Sequence, residues 1–263
     1  MMTEKNLNNK HALITGGGKG IGYAIADALL AQGLNVTIAG RNEEVLKAAM
    51  KSLSSAHGEP GIAYIVLDVS DSKAVEINFA LAAQQLGPID ILVNNAGQAS
   101  SAPFLKTDTA HWQQMLNVNL MGTVHCTKQV LPVMLEAGWG RIINVASTAG
   151  LTGYPYVSAY CAAKHGVIGL TRALALELAT TGVTVNAVCP GYTETDIVKE
   201  AVSNIMSKTG RTEEQARAAL ASGNPQQRLV QPSEVANTVA WLCQTQASAI
   251  TGQSIAVAGG EVM

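Results

Sequence analysis

The chain has 263 residues, 48% of them hydrophobic, which suffices for one large core. Lys and Arg number 17 against 19 Asp and Glu, a formal net charge of −2. The basic residues stand singly, which excludes the electrostatic footprint of a nucleic-acid or anionic-membrane binder. No apolar run approaches the roughly 18 residues that span a bilayer. Met1 to Lys10 is polar and lacks the apolar centre of a signal peptide. The cysteines, Cys126, Cys161, Cys189 and Cys243, lie far apart and suit buried thiols in a cytoplasmic, reducing compartment. The five histidines are scattered without metal-binding spacing, so no metal is expected.

Short β-rich runs alternate with longer Ala- and Leu-rich stretches. The pattern predicts strands over 11–15, 35–40, 62–67, 90–95, 140–147 and 183–191, with a seventh over 254–260. Helices are expected from about 20 to 32, over 43–55 and 72–86, and over roughly 108–136 and 157–180. Residues 193–231 are polar, helical in parts, and interrupt the alternation as an insertion. Strand–helix alternation predicts an α/β fold: a doubly wound, Rossmann-like parallel sheet with helices on both faces. No linker or repeat divides the chain, so 1–263 reads as one domain.

"TGGGKGIG", residues 15–22, follows the first strand and opens the first helix. Glycine permits close backbone approach, and free N–H groups at a helix start favour an anion such as a pyrophosphate. The spacing Gly16, Gly20, Gly22 is not Gly-x-Gly-x-x-Gly, and a plain tight turn would use the same residues. The position directly after the first strand favours a dinucleotide. The turn supplies Thr15, Gly16, Gly18, Lys19, Gly20, Ile21 and Gly22 as candidate contacts.

The second strand ends in Gly40-Arg41, where an NAD-preferring fold usually carries an acid for the ribose hydroxyl. A guanidinium there suits a 2′-phosphate, and Lys19 adds charge nearby, so NADP is expected over NAD. Asp68, followed by Val69, ends the third strand and is placed to accept from an adenine amine; Asp71 or Ser70 is the better helix cap. "NNAG", 94–97, ends the fourth strand and places Asn95, Ala96 and Gly97 at the ligand edge. Asn94 reads as a tie between strands.

Tyr160 and Lys164 stand at i and i+4 with only small residues between them, so they share a helix face that a ligand can approach. A phenol with its ordinary pKa of about 10 is a poor proton donor near neutrality, and a neighbouring ammonium is expected to lower it. Ser147, read as the end of the fifth strand, can converge on the same edge.

Together "TGGGKGIG", "NNAG", "NVNLMG", "INVAST", "YCAAK" and "VCPGYTETD" resemble, in order and spacing and over nearly the whole chain, a short-chain dehydrogenase/reductase. The resemblance implies hydride transfer between a nicotinamide and a carbonyl carbon. Tyr160 would exchange the proton with the substrate oxygen, and Lys164 would lower its pKa and hold the nicotinamide ribose. Ser147 would orient the substrate, and Asn119, preceding "LMG", would hold a relay water. Pro190, Gly191, Thr193 and Thr195 would grip the nicotinamide end. It also implies a substrate lid in the insertion, where Ile197, Val198, Ala201, Val202, Ile205 and Met206 form an apolar stripe that is either lid or core. A homotetramer through the two longest helices and the C-terminal segment is a further implication.

Parts of the chain resemble 3-oxoacyl-thioester reductases and aromatic polyketide ketoreductases. The places where carrier-protein reductases set docking arginines hold Gly138 and Thr181, with Glu136 beside the first. A coenzyme A thioester or a small ketone is therefore expected over a carrier-bound chain. Two alternatives remain at this point: an NAD-dependent 3-hydroxyacyl-CoA or alcohol dehydrogenase, and a catalytically silent dinucleotide-binding regulator.

Overall fold

The computed structural model describes residues 7–58 and 61–262, with Ile197 described by its backbone alone. The signal-peptide reading of Met1 to Lys10 and the stripe position Ile197 therefore lie wholly or partly outside the described residues. Strands β1 (His11–Thr15), β2 (Asn35–Gly40), β3 (Ile62–Val66), β4 (Ile89–Asn94), β5 (Gly140–Val145), β6 (Val183–Pro190) and β7 (Ser254–Val257) form one sheet. Their order is β3-β2-β1-β4-β5-β6-β7, and every adjacent pair is parallel.

Side chains alternate across the pleat, and both faces are apolar. Ala12, Ile14, Val36 and Ile38 pack with α1 (Gly20–Leu30), α2 (Glu43–His57) and α9 (Pro232–Cys243). Leu13, Ala39, Leu92 and Ile142 pack on the other face with α3 (Ser72–Leu86), α5 (Gly122–Ala137) and α6 (Ser158–Glu177). Burial on both sides is what makes these strands read as continuous apolar runs.

The predicted strands are in place, with ends trimmed by up to three residues. The fifth stops at Val145, so Ser147 stands just past the strand. The predicted helix over 108–136 is α4 (Thr109–Leu116), a single π turn over Asn117–Met121, and α5. Its Asp108 cap accepts from the His111 N–H at 2.8 Å. Residues 232–253, to which the sequence assigned no element, contain α9. It opens with Pro232 at its first turn and a reciprocal cap between Gln231 and Glu234.

The insertion forms α7 (Asp196–Thr209) and α8 (Glu213–Ala221) on a paired stem. Thr193 bridges Val230, the Glu194 N–H donates to the Val230 carbonyl at 2.9 Å, and the Val230 N–H donates to the Tyr192 carbonyl at 2.9 Å. Val198 and Val202 are buried with Ala216, Ala221 and Leu229 in a small core internal to this unit.

A buried polar chain ties the sheet to its helices. The Asn94 amide donates to Asn144 Oδ1 at 2.9 Å and to Thr127 Oγ1 at 3.3 Å, and the Asn144 amide donates to Thr171 Oγ1 at 2.9 Å. Asn94 is thus the strand tie the sequence suggested, reaching α5 and, through Asn144, α6. Replacing Asn144 by Ala leaves the Asn94 amide and the Thr171 hydroxyl short of partners. We expect a loss of roughly 1–3 kcal/mol, read as a lower urea midpoint with an unchanged m value.

Candidate active site

A cleft with a cavity of about 580 Å³ runs along the carboxyl ends of the strands. At one end lies the glycine turn. Gly16 adopts a positive φ of 65°, and a Cβ on Gly22 would stand 2.2 Å from the Gly16 carbonyl oxygen. Helix α1 therefore packs against the turn only because residue 22 has no side chain. No side chain caps α1, so its first N–H groups face the cleft free to meet an anion.

The "NNAG" turn is strapped to this turn. Thr15 Oγ1 accepts from the N–H groups of Asn95 and Ala96 at 3.0 and 2.9 Å, and the Asn95 amide donates to the Thr15 and Gly16 carbonyls at 3.0 and 3.2 Å. Thr15 and Gly22, expected as cofactor contacts, do not line the cleft: the first braces the turn from below, and the second sets the helix approach. Gly16, Gly18, Lys19, Gly20 and Ile21 do line it, as do Arg41, Asp68, Val69, Asn95, Ala96 and Gly97.

Arg41 is exposed at the end of β2. Burial alone would raise the Asp68 carboxyl, but donation from the Ser70 hydroxyl and N–H, at 2.7 and 2.9 Å, and the nearby Arg41 guanidinium hold it below the usual range. Asp71 caps α3, as expected. Lys19 pairs with Asp196, the first residue of α7, at 3.0 Å. The insertion thus starts against the glycine turn, where Thr195 Cγ2 would stand 3.2 Å from a Cβ on Gly20.

At the other end, Ser147, Tyr160 and Lys164 line the cleft with Pro190, Gly191 and Thr193, while Thr195 stands beside Gly20 at the glycine turn. Tyr160 and Lys164 sit on the first turns of α6. Ser147 caps a single 3₁₀ turn over Thr148–Gly150, its Oγ accepting from the Ala149 N–H at 3.1 Å. Lys164 is buried and donates to the Val145 carbonyl at 2.9 Å. Asn119 lies below the cleft in the π turn. Its amide donates to the Met115 and Gln98 carbonyls at 3.0 Å each, and its Oδ1 accepts from the Gln98 N–H at 3.2 Å. A Cβ on Gly97 would lie 2.8 Å from Asn119 Oδ1 and 3.6 Å from Lys164 Nζ, so that glycine leaves room for both groups.

One expectation reverses. Burial pushes the Tyr160 phenol up to about 12, with Ser147 as the hydrogen-bonding partner that opposes it. The Lys164 ammonium does not offset this. It stands 5.7 Å from the Tyr160 ring centroid, commits its hydrogen bond to Val145, and is itself pushed down to about 8 by burial.

The sequence reading missed Tyr154 and Tyr192, whose rings meet edge to face at 6.5 Å, and Gln98, whose buried amide nitrogen has no partner among the described residues. Of the described side chains of the stripe, Val198 reaches the cleft; Val202 faces the insertion's own core and Met206 is exposed. Among the described residues no cluster of metal-ligating side chains occurs, the four cysteines are free and buried, and no helix is long and apolar enough to cross a membrane.

The family model for short chain dehydrogenases matches residues 10–205. The chain is 42% identical to a putative ketoacyl reductase of Streptomyces coelicolor over 95% of both chains. It is 38% identical to a D-beta-hydroxybutyrate dehydrogenase of Cupriavidus necator, over 97% of this chain and 99% of the relative. A crystal structure of a variant actinorhodin polyketide ketoreductase with NADPH superposes with a TM-score of 0.92 at 40% identity, over 96% of this chain and 97% of that one. The chain belongs to the short chain dehydrogenase family. It is an oxidoreductase of the ketone–alcohol type on a dinucleotide-binding fold, which sets aside the silent regulator.

The buried ammonium predicts a pH signature. Its value of about 8 lies below the ordinary 10.5, so between these limits the unfolded chain binds more protons and stability rises with pH; below pH 8 the whole cost of burial is present. Lys164→Met should therefore stabilise the ligand-free protein at pH 7 by roughly 3 kcal/mol. That advantage should shrink as pH rises from 8 towards 10, as read from paired urea melts of variant and parent.

Proposed function

We propose that the chain is an NADP(H)-dependent reductase of 3-oxoacyl thioesters of the coenzyme A type, or of small ketones. The observation that carries this is one cleft with Ser147, Tyr160 and Lys164 at one end and, at the other, a β2 terminus offering Arg41 and no carboxylate. The cleft fits a dinucleotide: the uncapped start of α1 suits a pyrophosphate, and Arg41 suits a 2′-phosphate. Asp68 is placed for an adenine amine. When bound, the nicotinamide supplies or takes the hydride.

The chain's own groups supply the rest. Ser147 Oγ holds the substrate oxygen, and Tyr160 delivers a proton to it in reduction. Lys164 holds the nicotinamide ribose and, once its ammonium is paired there, favours the phenolate. Asn119, packed against Gly97 beside Lys164, positions a water to restore the proton. The high Tyr160 value of the ligand-free protein suits a proton held ready; lowering it is left to the charges that arrive with the ligand.

Gly138 and Thr181 precede β5 and β6 at their amino ends, across the sheet from the cleft, and carry no charge to dock an acidic carrier. Relatives named D-beta-hydroxybutyrate dehydrogenase favour a second reading, NAD-dependent oxidation of a hydroxy compound. Gly40-Arg41 at the β2 terminus speaks against NAD. Exposed Val133 and Leu135 on α5 and Leu176 on α6 support assembly as a homotetramer. The free, buried cysteines suit the cytoplasm.

Tyr160→Phe should abolish NADPH oxidation with 3-oxoacyl-CoA while leaving NADPH affinity, followed by fluorescence titration, within about threefold. A variant with near-parental turnover sinks the assignment. Arg41→Asp should weaken NADPH binding about tenfold or more and narrow the preference over NADH. Carrier-bound 3-oxoacyl substrate should give no higher kcat/KM than the matching short thioester; a large carrier preference rules out the proposed substrate form.

A further inference from the structure

We propose that Glu261 is a specificity-determining residue that makes the substrate end of the cleft select neutral 3-oxoacyl compounds and reject free 3-oxo acid anions. This rests on the reading of the cleft as a ketone-reducing site. Glu261 lies beyond β7, after the tight turn at Gly259 and Gly260, whose φ values are 60° and 93°. Its N–H returns to the Ala258 carbonyl at 3.1 Å. The turn throws the side chain back towards the catalytic edge.

There the carboxylate is wedged among three segments. Its Oε1 accepts from the Tyr154 hydroxyl at 2.5 Å. A Cβ on Gly191, where the lid leaves β6, would stand 2.8 Å from Oε2, and one on Gly223, just past α8, would stand 3.5 Å from Oε1. A residue larger than glycine at 191 would crowd the acid, whereas a Cβ at 223 would only touch it.

The contact shapes what the substrate meets. Tyr154 has one hydroxyl proton and donates it to Glu261, so its 2.9 Å contact with Thr148 Oγ1 requires the threonine to donate. Thr148 follows Ser147 directly, so a single tyrosine separates the residue next to the catalytic serine from a carboxylate. Tyr154 and Tyr192 both line the cleft. Both phenols are pushed up, first by burial and then by Glu261, so its charge is felt at both walls.

Among the described residues the one cation lining this end is Lys164, which donates to the Val145 carbonyl and not to Glu261. Among the described residues no Lys, Arg or His makes an ion pair with Glu261. Of the cations lining the cleft, Lys19 and Arg41 belong to the dinucleotide end, and Lys164 is buried beside Tyr160. A 3-oxo acid anion has its carboxylate two bonds beyond the carbonyl carbon that Ser147 and Tyr160 address, so it would enter on the side of Tyr154 and Tyr192, with the Glu261 carboxylate behind Tyr154. Repulsion between two such like charges, at an effective dielectric constant of about 20, is expected to cost on the order of tenfold in kcat/KM. An ester or thioester of the same skeleton escapes that repulsion.

The test compares acetoacetate with methyl acetoacetate, using NADPH oxidation by the full chain and by Glu261→Gln. Gln keeps an acceptor for Tyr154 and removes the charge. The parent should prefer the ester, and the variant should raise the acid-to-ester ratio of kcat/KM about tenfold, a change that loss of packing alone would not give. Glu261→Met is the second variant, should Gln impair folding, and the same rise is expected. A parent that prefers the acid, or a variant ratio within about twofold of the parent's, overturns the inference. If the parent reduces neither compound nor a 3-oxoacyl-CoA, with NADPH or NADH, the failure lies with the proposed function.

Discussion

Lys164 is a cation in the protein interior whose hydrogen bond goes to a neutral carbonyl, that of Val145, and the active edge is organised around it. Burial without an acid partner disfavours the charged amine, which is why its pKa falls. The backbone around it is closely packed. A Cβ on Gly150 would stand 2.8 Å from the Lys164 backbone carbonyl, and one on Gly97 would stand 3.6 Å from Nζ and 2.8 Å from Asn119 Oδ1. A site that keeps a poorly solvated amine beside a phenol is primed for partners that bring negative charge, such as a ribose phosphate or a developing oxyanion.

The sheet supplies the rigidity this needs. Asn94 and Asn144 face each other on β4 and β5 and reach Thr127 and Thr171 on the helices packed beneath, so the strand ends that carry "NNAG" and Ser147 move with α5 and α6 as a unit. The π turn contributes a different device. It adds a residue to the helix at Asn117–Met121, placing the Asn119 side chain where it can bind the Gln98 backbone on both sides. The helix and the backbone just after the "NNAG" turn are thereby locked together.

The parts legible in the sequence are those governed by local rules. Strands buried on both faces read as apolar runs, the glycine turn reads from its place after β1, and Tyr160 and Lys164 read from helical spacing. Thr15 and Gly22 belong to the same turn, but spacing does not distinguish a residue that touches a ligand from one that braces the turn. Helix α9 was legible in principle: Gln231, Pro232 and Glu234 form a helix start, though the polar residues around them resemble the preceding insertion. The π turn has no spacing signature. The Tyr160 value depends on burial, and Glu261 meets Tyr154 across 107 positions of sequence, a distance that no local pattern encodes.

The lid resolves a question that periodicity left open. A stripe at helical spacing can face a substrate or its own neighbours, and here Val202 turns inward to Ala216, Ala221 and Leu229 while Val198 is shared with the cleft. A unit with its own small core can move as a body on its stem without exposing apolar surface. The first residue of α7, Asp196, is paired with Lys19 on the glycine turn, and Gly191 and Gly223, before α7 and after α8, lie near Glu261. The insertion therefore touches both ends of the cleft, so a shift at the glycine turn is transmitted to the segments around Glu261.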